Sequence, residues 1–179
     1  APTGSRQHSF SLIVELMIWT GMRGDEALAF RIRGFDRPRS EIHLVDPSKG
    51  SSKGSVKVPE ELMTACLMAV EYAGLGPERL FSDIFFGDSQ ITLGSKKRSW
   101  ARLWESMRLE ALGPGCALGL HSLRHTGAVL IYKGTKNDMM AVKDFLRHKA
   151  ITSTQNYVCG ITRTPSNEIL GGVLGKLGV

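Results

Sequence analysis

Residues 121–157 concentrate side chains that can bind and attack a phosphodiester. His121 and Arg124 are three residues apart, so their side chains are neighbours on one face of a helix. His148 follows farther along the chain, and Tyr157 comes nine residues after it. Imidazoles transfer protons, a guanidinium binds phosphate oxygens, and a phenol can act as a nucleophile. Because any basic helical protein can carry such residues by chance, the chemistry depends on what the rest of the chain supplies.

Cleavage of a phosphodiester without a metal requires a defined set of groups. Two arginines are the natural clamp, because guanidinium forks bind the equatorial oxygens on which charge develops. A phenol has a pKa of about 10, so it needs a nearby base and a positive field. The departing 5′-oxygen needs a proton, which a lysine or a histidine can donate. A second arginine and a lysine must therefore come from other segments of the chain.

The first segment predicts two helices with an arginine at their junction. Ser9–Thr20 has apolar residues at helical spacing behind a serine cap, and Gly21 suits the left-handed position that ends a helix. Asp25 and Glu26 favour the first turn of a second helix. Arg23 is then held between two rigid elements, although a surface arginine at a turn is the simpler interpretation of this segment alone.

A β-hairpin with a basic tip is predicted next. Residues 41–46 and 55–58 alternate between apolar and polar side chains, as half-buried strands do. The polar tip between them carries Lys49 and Lys53, and it does not match the phosphate-binding loop of nucleotide-binding proteins. A lysine at such a tip is either solvated or able to reach into a DNA groove and deliver a proton.

The second half of the chain is predicted to be helical. The expected helices cover residues 59–73, 96–112, 121–133 and 137–147, followed by a short last turn that carries Tyr157. The buried side of the helix at 121–133 is expected to consist of Leu123, Gly127, Leu130 and Ile131.

The helix predicted for residues 96–112 has two different faces. Trp100 and Trp104 recur at helical spacing, so they are expected in the core and not as a platform for stacked bases. The opposite face is basic, and it either contacts phosphates or is merely solvated. Its members are Lys96, Lys97, Arg98, Arg102 and Arg108.

The composition favours a basic protein from a reducing compartment. The 179 residues carry a net charge of +6 with a pI near 9.4, which favours nucleic acid as the partner. The three cysteines are far apart and odd in number, so no disulfide framework is expected. No apolar run reaches the roughly 18 residues of a membrane span, and no signal peptide is recognisable.

No metal or cofactor site is expected. His121 and His125 have the spacing of a zinc pair on a helix, but Ser122 replaces the glutamate of the metalloprotease motif and a third ligand is not evident. No serine is expected at the strand-to-helix turn of a GxSxG elbow, and paired carboxylates for glycoside chemistry have no support. Phosphate chemistry is what remains.

Three motifs together resemble one family, the catalytic domain of tyrosine recombinases of the phage-integrase type. TGMRGDEAL at residues 20–28 is similar to the family's first-arginine motif, and HSLRHTGA at 121–128 is similar to its His-x-x-Arg motif. LRHKAITSTQNYV at 146–158 resembles the final motif, which holds a histidine and then the nucleophilic tyrosine. Each motif alone is weakly specific, but three matches in the family's order rarely arise by chance. The resemblance covers residues 9–160.

The resemblance implies a fold and a role for each matching residue. The expected fold is mainly α with a small antiparallel β-sheet (α+β). Arg23 and Arg124 would clamp the scissile phosphate, and His121 would assist proton transfer with the nucleophile. His148 would donate a hydrogen bond to a phosphate oxygen, and Tyr157 would attack to form a 3′-phosphotyrosyl bond. Neither a metal nor a cofactor takes part.

The resemblance also implies a lysine in the hairpin and marks one departure. Lys49 lies just past the first strand, as the family's lysine does, whereas Lys53 gives a shorter loop but lies close to the second strand. Lys49 is the preferred candidate. Glu26 matches an acidic position that supports Arg23. Arg147 stands where the family has glycine, and it is expected either to contact DNA or to crowd the site.

The implied function is site-specific recombination or integration of double-stranded DNA, as in an integrase or transposase of a mobile element. The alternatives are a nicking-closing enzyme resembling type IB topoisomerases and a DNA-binding regulator that keeps the fold without the chemistry. Residues 1–8 are expected to be a linker or cloning remnant, 9–160 the catalytic domain, and 161–179 a tail. This tail either forms an exchanged helix in a homotetramer or docks on its own chain. The expected location is the cytoplasm or nucleoid, or the nucleus of a eukaryote.

Overall fold

The computed structural model describes residues 6–45, 52–87, 91–115 and 119–163 and shows helices around one small sheet. This architecture confirms the predicted class, mainly α with a small antiparallel sheet. The elements in chain order are α1 (Arg6–Thr20), α2 (Gly24–Ala29), a 3₁₀ turn (Ile32–Gly34), β1 (Phe35–Asp36), β2 (Glu41–Leu44), β3 (Gly54–Lys57), α3 (Glu60–Tyr72), α4 (Asp83–Phe86), α5 (Leu93–Leu112), α6 (His121–Gly134), α7 (Met139–Phe145) and α8 (Ile151–Arg163). Among the described residues, no helix is both long and apolar enough to cross a bilayer.

The sheet has three antiparallel strands in the order β1-β2-β3, one more than the sequence predicts. No strand was predicted for residues 35–40, but Phe35 and Asp36 pair with β2. His43 lies opposite Ser55 in the register of β2 and β3. Its Nδ1 is 2.7 Å from the Ser55 hydroxyl, and its Nε2 is 3.2 Å from a carboxylate oxygen of Asp36. One imidazole therefore joins all three strands on the side of the sheet away from the buried Ile42.

Two apolar clusters hold the helices. The larger one includes α1, α3 and α5, where Trp100 is fully buried and stacks on Phe10 with ring centroids 4.5 Å apart. This confirms the prediction that the tryptophans of α5 belong to the core. The smaller cluster joins the last three helices, which carry three of the six residues predicted to do chemistry. It consists of Ala128, Val129, Val142, Leu146 and Val158.

Two residues were assigned to the wrong side of their helices. Lys96 was expected on the basic face of α5, but only 3% of it is exposed and its ammonium pairs with the buried carboxylate of Asp83. Leu130 was expected in the core, but it is 53% exposed on α6. The partner of Lys96 comes from another element, so spacing along its own helix could not decide the direction of its side chain.

Gly127 is the point where α6 approaches α1 most tightly. A Cβ at this residue would lie 2.4 Å from the carbonyl oxygen of Ile18 and 2.6 Å from Cζ of Phe145. We expect Gly127→Ala to lower the free energy of unfolding by about 1–3 kcal/mol, because the helices must separate to admit a methyl group. The change is measured by urea denaturation.

Gly134→Ala is the matched control for this substitution. Gly134 lies in the same helix, and a Cβ there would meet nothing within 4 Å. Alanine at this site should leave the stability unchanged or raise it by about 0.4–1 kcal/mol through the unfolded chain. Equal urea midpoints for the two variants would show that the close approach at Gly127 is not what limits the packing.

Candidate active site

Arg23 lies immediately before α2, directly after the turn that ends α1. Gly21 has a φ of 60°, so the chain reverses there in the left-handed conformation that the sequence predicts. Glu26 reaches back to this junction, and its Oε2 accepts a hydrogen bond from the Arg23 backbone N–H at 2.9 Å. Its Oε1 lies 3.6 Å from Nη1 of Arg23. The Arg23 side chain remains 27% exposed, so its guanidinium can meet an approaching phosphate.

Arg124 is completely buried beside Arg23, in the first turn of α6. Its Nη1 donates a hydrogen bond to the Gly21 carbonyl, and its Nη2 donates one of 2.6 Å to the Leu146 carbonyl. These bonds join the α1–α2 junction to the corner after α7. Burial lowers the pKa of Arg124 to about 10, and the positive charges of Arg23 and Arg147 contribute. Arg124 therefore remains charged at neutral pH and is fixed from two sides.

Tyr157 lies in α8 with its ring among three imidazoles. The ring centroids lie 6.0 Å from His121, 5.0 Å from His125 and 5.9 Å from His148. The hydroxyl is buried, and it has no hydrogen-bond partner within the part of the chain that the structure describes. Burial raises the Tyr157 pKa to about 12, against the opposing influence of Arg124 and Arg23. The phenol is therefore protonated at neutral pH.

His148 occupies the corner between α7 and α8. Its Nδ1 is 3.0 Å from the hydroxyl of Thr154, which lies in the first half of α8. Desolvation, together with the positive charges of nearby guanidinium groups, chiefly that of Arg124, lowers the His148 pKa to about 4. Desolvation also lowers the pKa of His121, with Arg124 and Arg23 contributing, and that of His125. The imidazoles around Tyr157 are therefore neutral at pH 7 and able to accept a proton.

The depressed His148 pKa predicts a loss of stability in mild acid. Below the ordinary value of 6.5 the unfolded chain binds a proton that the folded chain excludes until about pH 4. The contribution of neutral His148 to the free energy of unfolding is therefore fully present above pH 6.5 and is lost as the pH falls toward 4. The fall of the urea midpoint over this range should be smaller in His148→Gln. An unchanged pH dependence would show that His148 is not the responsible group.

The structure leaves the choice between the two hairpin lysines open. Lys49 lies outside the described residues. Lys53 is exposed and precedes Gly54, the first residue of β3. The backbone N–H of Ser52 donates to the carbonyl of Arg147 at 3.1 Å, so this end of the hairpin tip lies against the corner after α7.

Arg147 does neither of the two things expected of it. It is 7% exposed, so its side chain is buried and not available at the surface for a DNA contact. Nη1 donates to the Thr20 carbonyl at 2.7 Å, and Nη2 donates to Oε2 of Glu26 at 2.8 Å. The partners lie far away in the sequence, so the motif around residue 147 contained no signal for them. Arg147 joins the frame that holds Arg23 and does not crowd Tyr157.

His125 is the residue of this site that the sequence interpretation missed. Its ring is the nearest of the three imidazoles to Tyr157. In the sequence, the spacing between His121 and His125 suggested only a zinc pair. The same i, i+4 spacing places both on one face of α6, so a tyrosine that meets the first ring also meets the second. Across the described ranges, no three His, Cys, Asp or Glu side chains are grouped closely enough to hold a metal ion.

The structure therefore brings five of the six predicted residues to one place. Arg23 and Arg124 interact electrostatically with Tyr157, and His121 and His148 contact its ring. Two fixed positive charges beside a phenol and neutral imidazoles can hold an anionic ester and accept the phenolic proton. This arrangement suits attack on a phosphodiester.

Comparison with known proteins relates the chain to DNA recombinases. A model of the phage integrase family matches residues 2–160. Tyrosine recombinase XerH of Campylobacter jejuni (serotype O:2) is 26% identical over 146 residues, which make up 82% of this chain and 40% of XerH. The chain thus spans less than half the length of this curated relative.

Solved structures show the same fold. The crystal structure of XerA recombinase superimposes with a TM-score of 0.62 at 20% identity, over 97% of this chain and 62% of XerA. The pre-cleavage complex of XerH bound to its difH substrate gives a TM-score of 0.61 at 24% identity, over 82% of this chain and 41% of XerH.

Proposed function

Because this chain belongs to the phage integrase family, we propose that it is the catalytic part of a tyrosine recombinase that cuts and rejoins double-stranded DNA. The observation that carries the proposal is the grouping of Tyr157 with Arg23 and Arg124, which act on it electrostatically, and with three neutral imidazoles around its ring. No other arrangement among the described residues combines a nucleophile with such a phosphate clamp.

The reaction follows from the positions of these groups. Arg23 and Arg124 bind the two non-bridging oxygens of the scissile phosphate and stabilise the charge that develops there. The Tyr157 oxygen attacks phosphorus, and its proton passes to a neutral imidazole, for which His121 is the proposed acceptor. The bond between phosphorus and the 5′-oxygen breaks, and a protonated 5′-hydroxyl leaves. The product is a 3′-phosphotyrosyl ester, which a second 5′-hydroxyl can attack to rejoin the strand without ATP.

Two further side chains complete the proposed mechanism. Lys49 donates the proton that the departing 5′-oxygen takes up. The hydroxyl of Thr154 can donate to Nδ1 of His148, because the two atoms are 3.0 Å apart. The proton of the neutral ring then resides on Nε2, which can donate a hydrogen bond to a phosphate oxygen.

The structure shows a site whose clamp and nucleophile are covered by protein. Arg124 is fully buried, and the Tyr157 hydroxyl is buried with a pKa of about 12. We infer that the phosphate must displace the Tyr157 ring to reach Arg124, so that the nucleophile becomes reactive only when DNA is present.

The domain bounds, the active assembly and the cellular location are parts of the same proposal. Residues 9–160 form the catalytic domain, and the match of the family model to residues 2–160 supports this range. The active assembly is a homotetramer on paired sites, and the segment 161–179 is the candidate for exchange between neighbours. The protein works where the DNA is, in the cytoplasm and nucleoid or in a nucleus, most simply for the integration of a mobile element.

A two-step assay tests the proposed function. A pool of nicked duplexes with randomised sequence is incubated with the protein, and covalently captured DNA is sequenced to define the site. Two duplexes of different length that contain the site are then mixed with the protein. We expect products of exchanged length, since the phosphotyrosyl bond can be attacked by a strand from the other duplex. Relaxation of supercoiled DNA without exchange would indicate a nicking-closing enzyme, and tight binding without capture would indicate a regulator.

A further inference from the structure

The turn that connects α7 to α8 contains an arginine in an unfavourable conformation. Arg147 has a φ of 53°, which residues other than glycine, asparagine and aspartate rarely adopt. Its N–H bonds the Asp144 carbonyl, and the N–H of His148 bonds the Lys143 carbonyl, both at 3.0 Å. This is the Schellman pattern, in which glycine is the usual residue at the left-handed position. The turn alone therefore favours glycine at 147 over arginine.

Burial of the Arg147 side chain adds a second cost. The residue is 7% exposed, and Nε has no hydrogen-bond partner within the described residues. A buried guanidinium is stable only when its charge is paired and its N–H groups are bonded. The carboxylate of Glu26 provides the charge and the Thr20 carbonyl the second acceptor. The arginine is therefore kept by what it contacts and not by what its own turn prefers.

The contacts of Arg147 reach the segment that carries Arg23. Oε2 of Glu26 accepts from Nη2 of Arg147 at 2.8 Å and from the backbone N–H of Arg23 at 2.9 Å. Thr20, the other acceptor, is the last residue of α1. The guanidinium thus fixes both ends of the short α1–α2 junction in which Arg23 lies.

The main chain of Arg147 reaches the hairpin tip as well. Its carbonyl accepts the hydrogen bond from the N–H of Ser52, and a Cβ at Gly54 would lie 3.5 Å from Cδ of Arg147. One residue therefore contacts the α1–α2 junction, the end of the hairpin tip and, through its neighbour His148, the environment of Tyr157. These are the three segments that must be correctly placed at the same time for cleavage.

We propose that Arg147 is a positioning residue that acts through Glu26 to hold the Arg23 guanidinium in place for the scissile phosphate. This inference rests on the proposed function, because it assigns Arg147 a role in the same cleavage step. Arg147 does not touch the phosphate itself. Its contribution is the orientation of the α1–α2 junction relative to the corner that precedes His148.

Glycine at residue 147 separates this role from an ordinary structural one. Arg147→Gly keeps the main-chain contacts and suits the left-handed turn, so the variant should fold, but the guanidinium that binds Glu26 is lost. We expect the rate of covalent capture of a selected nicked duplex, at saturating DNA, to fall about 10- to 100-fold, as when a group that orients a catalytic residue is removed. DNA affinity should change little, because Arg147 is not at the surface.

Asn137→Gly is the matched control. Asn137 also has a positive φ, of 71°, but it is exposed in the turn between α6 and α7. The same relief of backbone strain is obtained there without the loss of a buried contact, so the cleavage rate should remain that of the unaltered protein. Urea midpoints of all the variants show whether each one is folded at the assay temperature.

The path through Glu26 is tested by a double-mutant cycle. If Arg147 acts on Arg23 through Glu26, Glu26→Gln alone should slow cleavage, and the double variant should be little slower than the worse of the two single variants. Additive losses, or an unaffected Glu26→Gln variant, would overturn this path. An Arg147→Gly variant that cleaves as fast as the unaltered protein would overturn the inference while leaving the proposed function intact. Failure of the unaltered protein to form any adduct would overturn both.

Discussion

Arg124→Lys is expected to reduce the rate of covalent DNA capture by about 10²–10³-fold, the usual cost of losing one preorganised donor to a developing oxyanion. Lysine retains the charge, so the loss comes from geometry. A planar guanidinium can bond the Gly21 and Leu146 carbonyls and still present further N–H groups to a phosphate. A single ammonium group cannot satisfy both carbonyls and the phosphate from one position.

The same substitution should lower stability, which provides a second measurement. Both carbonyls belong to the corners that Arg124 joins, and a buried acceptor that loses its donor costs about 1–3 kcal/mol. Arg33→Lys is the control, because Arg33 pairs with Glu78 at 3.0 Å on the exposed surface. A change there should alter the free energy of unfolding by less than about 0.5 kcal/mol. Equal effects of the two substitutions on urea midpoint and capture rate would contradict the role given to Arg124.

Lys49→Ala is expected to slow cleavage by about 10²–10⁴-fold, the usual contribution of a general acid. Lys53→Ala serves as the control on the same hairpin and should have a much smaller effect. Both changes remove one positive charge from the same basic tip, so DNA affinity should fall equally in the two variants. The rate of capture is measured with a single nicked duplex at saturating protein.

A substrate with sulfur in place of the bridging 5′-oxygen sharpens this test. A thiol has a pKa of about 8.5 and leaves as the thiolate without prior protonation. The defect of Lys49→Ala should therefore largely disappear with this substrate if the lysine donates the proton. A larger defect in Lys53→Ala, rescued by sulfur, would show that Lys53 is the acid and that the preference for Lys49 is wrong. A defect that sulfur does not rescue in either variant would contradict a hairpin acid.

The sequence predicted the elements that local patterns specify. The helix around Trp100 and the strands at 41–46 and 55–58 follow from periodicity, because one face of each packs on the core. Gly21 was placed correctly because a helix that must reverse direction needs a left-handed residue. Arg23, Arg124, His148 and Tyr157 were proposed as site residues from motifs, which specify residue types and spacing without specifying contacts.

What the sequence did not predict depends on contacts between distant segments. Lys96 looks solvated on its helix, and only the presence of Asp83 from another element explains its burial. The short strand at Phe35 exists because β2 is available as a partner, and the pattern of its own residues did not predict a strand. Arg147 contradicts the preference of its turn because Glu26 and Thr20 compensate for it. Local propensity is overruled where a tertiary partner contributes more than the turn or helix loses.

The central claim is that Tyr157 is the nucleophile and becomes joined to the 3′-phosphate of the cleaved strand. Covalent adducts are digested with nuclease and with trypsin, which releases residues 150–163 as one peptide containing no tyrosine except Tyr157. Mass spectrometry with fragmentation should place a nucleotide on Tyr157, the cleaved DNA should end in a free 5′-hydroxyl, and Tyr157→Phe should give no adduct. A nucleotide on another residue, a 5′-phosphate at the cut, or an undiminished adduct in Tyr157→Phe would contradict this mechanism.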